Sequence, residues 1–128
     1  MTGAAGALEA AAVARLRQID GLGVYAGPPL QAAFPYAVVD AGLNSDWSHK
    51  SGAGREVRLA VTVRDKGEIP ARLKALLGTA EEALQALSLA GEGWSLVSMQ
   101  FLRTRLVSEG PGAWAGVIEF RARMLSSG

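Results

Sequence analysis

The sequence predicts an α+β fold: a mainly antiparallel four- to five-stranded sheet with two helices packed on one face, in the order α-β-β-β-α-β-β. Three observations point there. The last third holds two long runs, 95–106 and 114–124, that alternate residue by residue around the turn Glu109-Gly110-Pro111-Gly112. Period two is the mark of a strand, and Arg55 to Asp65 alternates as cleanly. Residues 4–19 and 69–89 instead repeat apolar positions at helical spacing, as amphipathic helices do. Strands and helices that do not alternate as βαβ units give an α+β arrangement.

Taken in order, the first helix carries Leu8, Ala12, Leu16 and Ile19 at helical spacing, and Asp20-Gly21 with Gly23 ends it. Its apolar stripe is narrow and rich in alanine, which suits close packing on a sheet. Val24-Tyr25-Ala26 is a short strand ended by Gly27-Pro28-Pro29. Phe34-Pro35 forces an extended lead into the strand Tyr36 to Asp40, and the rings of Phe34 and Tyr36 are expected to pack under the first helix. Residues 44 to 54 form a long polar connection in which only Trp47 is bulky. Arg55 to Asp65 sets Val57, Leu59, Val61 and Val63 on one face and Glu56, Arg58, Ala60, Thr62 and Arg64 on the other. The second helix, 69 to 89, takes Pro70 in its first turn and shows a wide stripe of Ile69, Leu73, Leu76, Leu77, Ala80, Leu84 and Leu87. Gly91-Glu92-Gly93 then turns the chain into the final hairpin. No repeat, low-complexity tract or linker interrupts it, so residues 1–128 are expected to form a single domain.

In that hairpin, alternation places Leu96, Leu102, Leu106, Ile118, Phe120 and Met124 on one face. Arg103, Arg105, Arg121 and Arg123 fall on the other, beside Met99, Phe101 and Val117. A turn centred near Gly110 and Pro111 sets Arg103 opposite Glu119, an opposite-charge cross-strand pair. Arg58 and Arg64 join this face, opposed only by Glu56 and Glu119. Two readings stand for it: a solvated face coated by long side chains, or an interface with a subunit or an anionic partner. Phe101, Met99 and Val97 interleaved with arginine favour the interface.

A chain of 128 residues can bury roughly two thirds of its unfolded surface. Its 49% hydrophobic and 20% charged composition is that of a folded domain. A net charge of +1 argues against a protein that coats nucleic acid, so electrostatic function must rest on local patterning. With no cysteine, disulfides, thiolate zinc sites and cysteine nucleophiles are excluded. The N-terminus lacks the plan of a signal peptide, and no apolar run approaches about 18 residues. The expectation is a soluble cytoplasmic protein.

Catalytic chemistry finds little support. His49 is the only histidine and sits in a Gly/Ser-rich loop, without a second ligand for a metal or a positioned nucleophile among its serines. Gly52-Ala53-Gly54 runs into a strand, whereas a phosphate cradle needs a helix N-terminus. The carboxylates are scattered, and Glu81-Glu82 are placed on the solvated face of the second helix. An enzyme, a cofactor and a metal are therefore not expected. Direct reading of DNA is not expected either, because no helix carries a basic surface.

Several segments, in order, carry a family resemblance: Val24-Tyr25 before Pro28-Pro29, Phe34-Pro35-Tyr36-Ala37-Val38-Val39, Asp46-Trp47-Ser48, Glu56 to Val63, and Gly116-Val117-Ile118-Glu119-Phe120-Arg121. From about residue 7 to residue 124 the chain resembles the tail-completion or tail-terminator proteins of long-tailed phages and of phage-like gene transfer agents. The resemblance implies a small α+β subunit that assembles as a homohexameric ring. The ring would cap the head-proximal end of the tail tube, stop its polymerisation and present a docking surface to the head connector. It implies as partners further copies of the chain, the tail tube protein and the head connector or stopper protein. DNA would pass through without specific binding, and no membrane would be involved. The protein would occupy the host cytoplasm during assembly and then the tail of the virion or gene transfer agent particle. One departure is Arg64-Asp65, where the family often carries an aromatic residue after the Val-x-Val strand.

On this reading the interface is expected to include Trp47, His49, Lys50, Arg58, Arg64, Phe101, Arg103, Arg105, Arg121 and Arg123. Trp47 either pins its loop to the body or awaits a partner. Long loops without secondary structure are often functional, so residues 44 to 54 are the expected contact with the tube or a neighbouring subunit. A channel lined by arginine would hold duplex DNA, so the arginine face is expected to turn toward protein, leaving the lumen neutral or acidic. Two rivals remain: a non-viral adaptor that binds protein on its basic sheet face, and, less favoured, a small-molecule enzyme drawing on His49 and its neighbouring serines.

Overall fold

The computed structural model describes residues 3–48, 52–91 and 93–127. Its elements run α1 (Ala4–Leu16), β1 (Gly23–Tyr25), β2 (Tyr36–Asp46), β3 (Gly54–Lys66), α2 (Ala71–Gln85), β4 (Ala90–Gly91), β5 (Trp94–Ser108) and β6 (Ala113–Ser126). The strands form one sheet of six in the order β1-β2-β3-β6-β5-β4. β1 lies parallel to β2, and every other neighbouring pair is antiparallel. The α+β class holds, with two-residue β4 added to the expected strands.

The core lies between one face of the sheet and the two helices. Val57, Leu59, Val61 and Val63 of β3 and Ile118, Phe120, Ala122 and Met124 of β6 are buried there. α1 brings Leu8, Ala12 and Leu16 onto the β2 side, and α2 brings Leu73, Leu77, Ala80 and Leu84 onto β6, β5 and β3. Each valine, leucine, isoleucine, phenylalanine and methionine among them contributes about 1.5–3 kcal/mol through burial, and the alanines less. Helix and sheet approach closely at Gly116 of β6, where an added Cβ would lie 2.4 Å from Leu77 Cδ1. Glycine lets the helix settle there.

Two apolar expectations are corrected. Ile69 precedes α2 and is 72% exposed, so the helical stripe begins at Leu73. Phe34 and Tyr36 do not pack under α1. Tyr36 pairs with Arg64 on the helix-free face, Phe34 stacks on Tyr36 at 5.4 Å, and the Lys66 ammonium lies 4.9 Å from the Phe34 ring. The alternation of β2 decides this, because Ala37 and Val39 take the buried positions and leave Tyr36 outside.

Asp65, at the end of β3, is 4% exposed. Its carboxylate accepts hydrogen bonds from Arg72 Nε at 2.8 Å and Nη2 at 2.5 Å and from the Lys66 backbone N–H at 2.8 Å. The link ties the end of β3 to the first turn of α2. The Arg72 hydrogen bonds hold the Asp65 carboxyl below the usual carboxylate range. A lowered folded-state pKa stabilises above the unfolded value and is lost as pH falls through the folded one. Asp65→Asn should therefore melt below the parent at neutral pH and lose less stability between pH 7 and about pH 3. Parallel pH–melting curves for the two chains would show the pair to be energetically idle.

Candidate subunit and partner interfaces

The helix-free face is built by the outward residues of β3, β6 and β5. Register along β3 and β6 is unbroken from Gly54↔Leu125 to Lys66↔Ala113, so Glu56, Arg58 and Arg64 share a face with Glu119, Arg121 and Arg123. Across the other ladder, Arg103 lies opposite Glu119 and Arg105 opposite Val117. The expected pair forms, with Arg103 Nε 3.3 Å from Glu119 Oε2. Glu56 is shared by Arg123 at 3.2 Å and Arg121 at 3.8 Å, and Arg121 also donates to Gln100 Oε1. Arg64 binds Glu109 of the β5–β6 turn at 3.0 Å. Glu109 and Gln100 were not anticipated as partners, since a turn residue and a neutral one give no charge pattern to follow.

Each half-exposed pair is worth roughly 0–1 kcal/mol, so these contacts order the face more than they stabilise the fold. Arg58 and Arg105 have no hydrogen-bond or ion-pair partner among the described residues. Arg58 is moreover directly across the ladder from Arg121, and like charges directly opposite are destabilising. The face thus combines a self-neutralised network with two arginines left over.

Phe101 and Met99 do not belong to this face. β5 carries extra residues at Val97 and Leu102, where the register shifts between Leu96 and Ser98 and between Phe101 and Arg103. Each β-bulge reverses the alternation, so the segment between them is inverted. Met99 pairs with Ala122 and Phe101 with Phe120 on the helix side. Phe101 meets Phe120 edge-on at 5.6 Å and borders Glu81, Glu82 and Gln85 of α2. Leu102 is a bulge residue, not a core one. Residues outside the two bulges, including Leu96, Arg103, Arg105 and Leu106, keep the expected faces.

The connection 44 to 54 is shorter than the sequence suggests, because β2 continues through Asp46 and β3 begins at Gly54. Trp47 is half-buried. Its backbone N–H donates to Gly54 O at 2.9 Å, and the Arg123 guanidinium lies 5.3 Å from its ring centroid. A Cβ at Gly54 would fall 2.4 Å from Trp47 O, so glycine is what allows this closure. Ser48 Oγ donates to Asp46 at 2.7 Å and holds that carboxyl below its usual range. Trp47 thus pins the loop to the arginine face. His49 and Lys50 lie outside the described residues.

Among the described residues no group of side chains is placed to hold a metal ion, and no helix is long and apolar enough to cross a membrane. The family model described as "Tail completion protein gp17" matches residues 4–125. A solved structure described as "Virion of native gene transfer agent (GTA) particle" contains a chain of the same fold, with a TM-score of 0.82 and 30% sequence identity. The match covers 98% of this chain and 100% of that one. No curated protein sequence matches.

Proposed function

The chain belongs to the tail completion protein gp17 family, a family of structural tail proteins, and from that premise we propose that it is a tail terminator of a phage or gene transfer agent particle. Copies form a hexameric ring on the head-proximal end of the tail tube, stop tube growth and join the tail to the head connector. The observation that best supports a binding role for the sheet is Arg58, held against Arg121 with no carboxylate of its own among the described residues. A like-charge pair kept on a folded surface is relieved when a partner supplies an anion. Protein carboxylates are the anions proposed, and the internal Glu56, Glu109 and Glu119 pairs leave the face a poor match for continuous phosphate. DNA then passes without being held.

The loop between β2 and β3 is the proposed contact with the tube or a neighbouring subunit. Replacing residues 47–53 by a Gly-Ser linker of equal length should cost about 0.5–2 kcal/mol, the range of a cation–π contact between exposed and desolvated. Particles made with that variant should nevertheless carry overlong or headless tails. Normal particles would remove the loop from the interface. The role as a whole is tested by deleting the gene in a particle-producing host: overlong tails and unattached heads are expected, and tails of normal length on heads would overturn it.

A further inference from the structure

The sheet has two edges that it leaves largely open. β1 covers β2 only from Tyr36 to Val38, and β4 covers β5 only at Trp94 and Ser95. From Val39 to Asp46 on β2 and from Val97 to Ser108 on β5, no further strand lies alongside among the described residues. Open edges of this length present rows of unpaired N–H and C=O groups and invite pairing with another chain. Gln85 Nε2 satisfies one of them, Met99 O, at 2.6 Å.

Three features make the two edges fit each other. The first is height. Cross-strand partners trace one row through Asp40, Ala60, Glu119 and Arg103, and another through Leu43, Arg58, Arg121 and Gln100. The open stretches therefore overlap, and β1 and β4 block opposite ends. The second is direction. Successive antiparallel steps leave β2 and β5 antiparallel to one another, so a copy rotated about an axis along the strands sets β5 against the next β2 in the antiparallel sense. The third is charge. β2 carries Asp40 and Asp46 and no basic residue, while β5 carries Arg103 and Arg105 and no acidic one. Asp40 and Arg105 have no side-chain partner among the described residues, and Leu43 and Val97 are 67% and 52% exposed.

All three register shifts fall on these two strands, and bulges are concentrated at sheet edges and barrel rims because they add twist and bend. We propose that a second copy of the chain occupies each edge: β5 of one subunit pairs with β2 of the next, closing the sheets into one continuous barrel. The contact is head to tail, which generates a ring when the rotation closes. This rests on the ring reading above and places the main subunit contact at the edges of the arginine-bearing sheet, beside Arg103 and Arg105.

The test uses Asp40→Arg and Arg105→Glu, made singly and then mixed, with assembly followed by native mass spectrometry and folding by circular dichroism. Each variant alone faces like charges across every contact and should assemble at least about tenfold less than the parent. At the heights traced above, Asp40 lies opposite Arg103 and diagonal to Arg105, within reach of long side chains. In the mixture, the introduced arginine of one meets the introduced glutamate of the other, while native Asp40 meets native Arg105. Alternating rings should therefore return. Because the parent has no cysteine, Leu43→Cys combined with Gln100→Cys provides a second readout, an oxidised ladder ending at a closed ring. Singles that assemble like the parent, or a mixture that does not recover with no ladder formed, would overturn edge pairing while leaving the ring reading intact. A parent that forms no ring, alone or on tail tubes, would overturn both.

Discussion

Arg58→Glu combined with Arg105→Glu should abolish assembly while leaving the isolated subunit at least as stable as the parent. Among the described residues neither arginine has a side-chain partner to lose, and the change at Arg58 replaces a like-charge contact with Arg121 by an opposite-charge one. The melting temperature should hold or rise slightly, since surface changes of this kind fall within about 0.5 kcal/mol. Assembly should fall by well over about tenfold, because like charges at an interface cost several kcal/mol. The two effects have opposite signs, which separates an interface from a merely solvated face. Arg58→Glu alone reports on the face, and Arg105→Glu alone on the β5 edge. Wild-type assembly by the double variant, measured by sedimentation, would return the face to solvent.

The largest effect on stability should come from Gly116. A methyl group there meets Leu77 Cδ1 at 2.4 Å and Cδ2 at 2.6 Å, and Leu77 is itself buried on the sheet-facing side of α2. Gly116→Ala should cost about 1–3 kcal/mol through overpacking, and Gly116→Val more, lowering the melting temperature by several degrees for each kcal/mol. Leu77→Ala in the Gly116→Ala background should recover part of the loss, giving a coupling that a double-mutant cycle can measure. Additive effects would mean that α2 sits on β6 more loosely than the structure has it.

Much of the architecture was legible because single-face burial leaves a strong periodic trace. The regular strands β3 and β6 showed it most clearly: every buried position from Val57 to Val63 and from Ile118 to Met124 follows alternation. The Arg103–Glu119 pair followed from that register and a correctly centred turn. Legibility failed where one residue was added to a strand. Val97 and Leu102 carry no composition that marks them as bulges, yet together they move Phe101 and Met99 from one face to the other. β2 runs past the expected end at Asp40 for a related reason. Asn44, Ser45 and Asp46 belong by composition to the polar stretch 44–54, but pairing with Arg55 to Arg58 carries the strand on to Asp46. The open edge that this extension creates was therefore invisible in the sequence.

Trp47 illustrates a limit of another kind. An isolated aromatic in a polar loop has no periodicity to place it, and only the fold brings Arg123 over its ring. That Arg58 and Arg105 have no partner among the described residues is likewise a property of three strands together. Alternation put six arginines on one face, but which of them would find Glu56, Glu109 or Glu119 depends on register and turn geometry.

Termination of a tail tube by a ring can be seen by electron microscopy of the purified protein, alone and mixed with growing tail tubes. Six-fold rings should sit on one end of each tube, and tubes should stop lengthening once capped. Tubes that continue to grow at both ends in its presence, with no ring at either end, would contradict it.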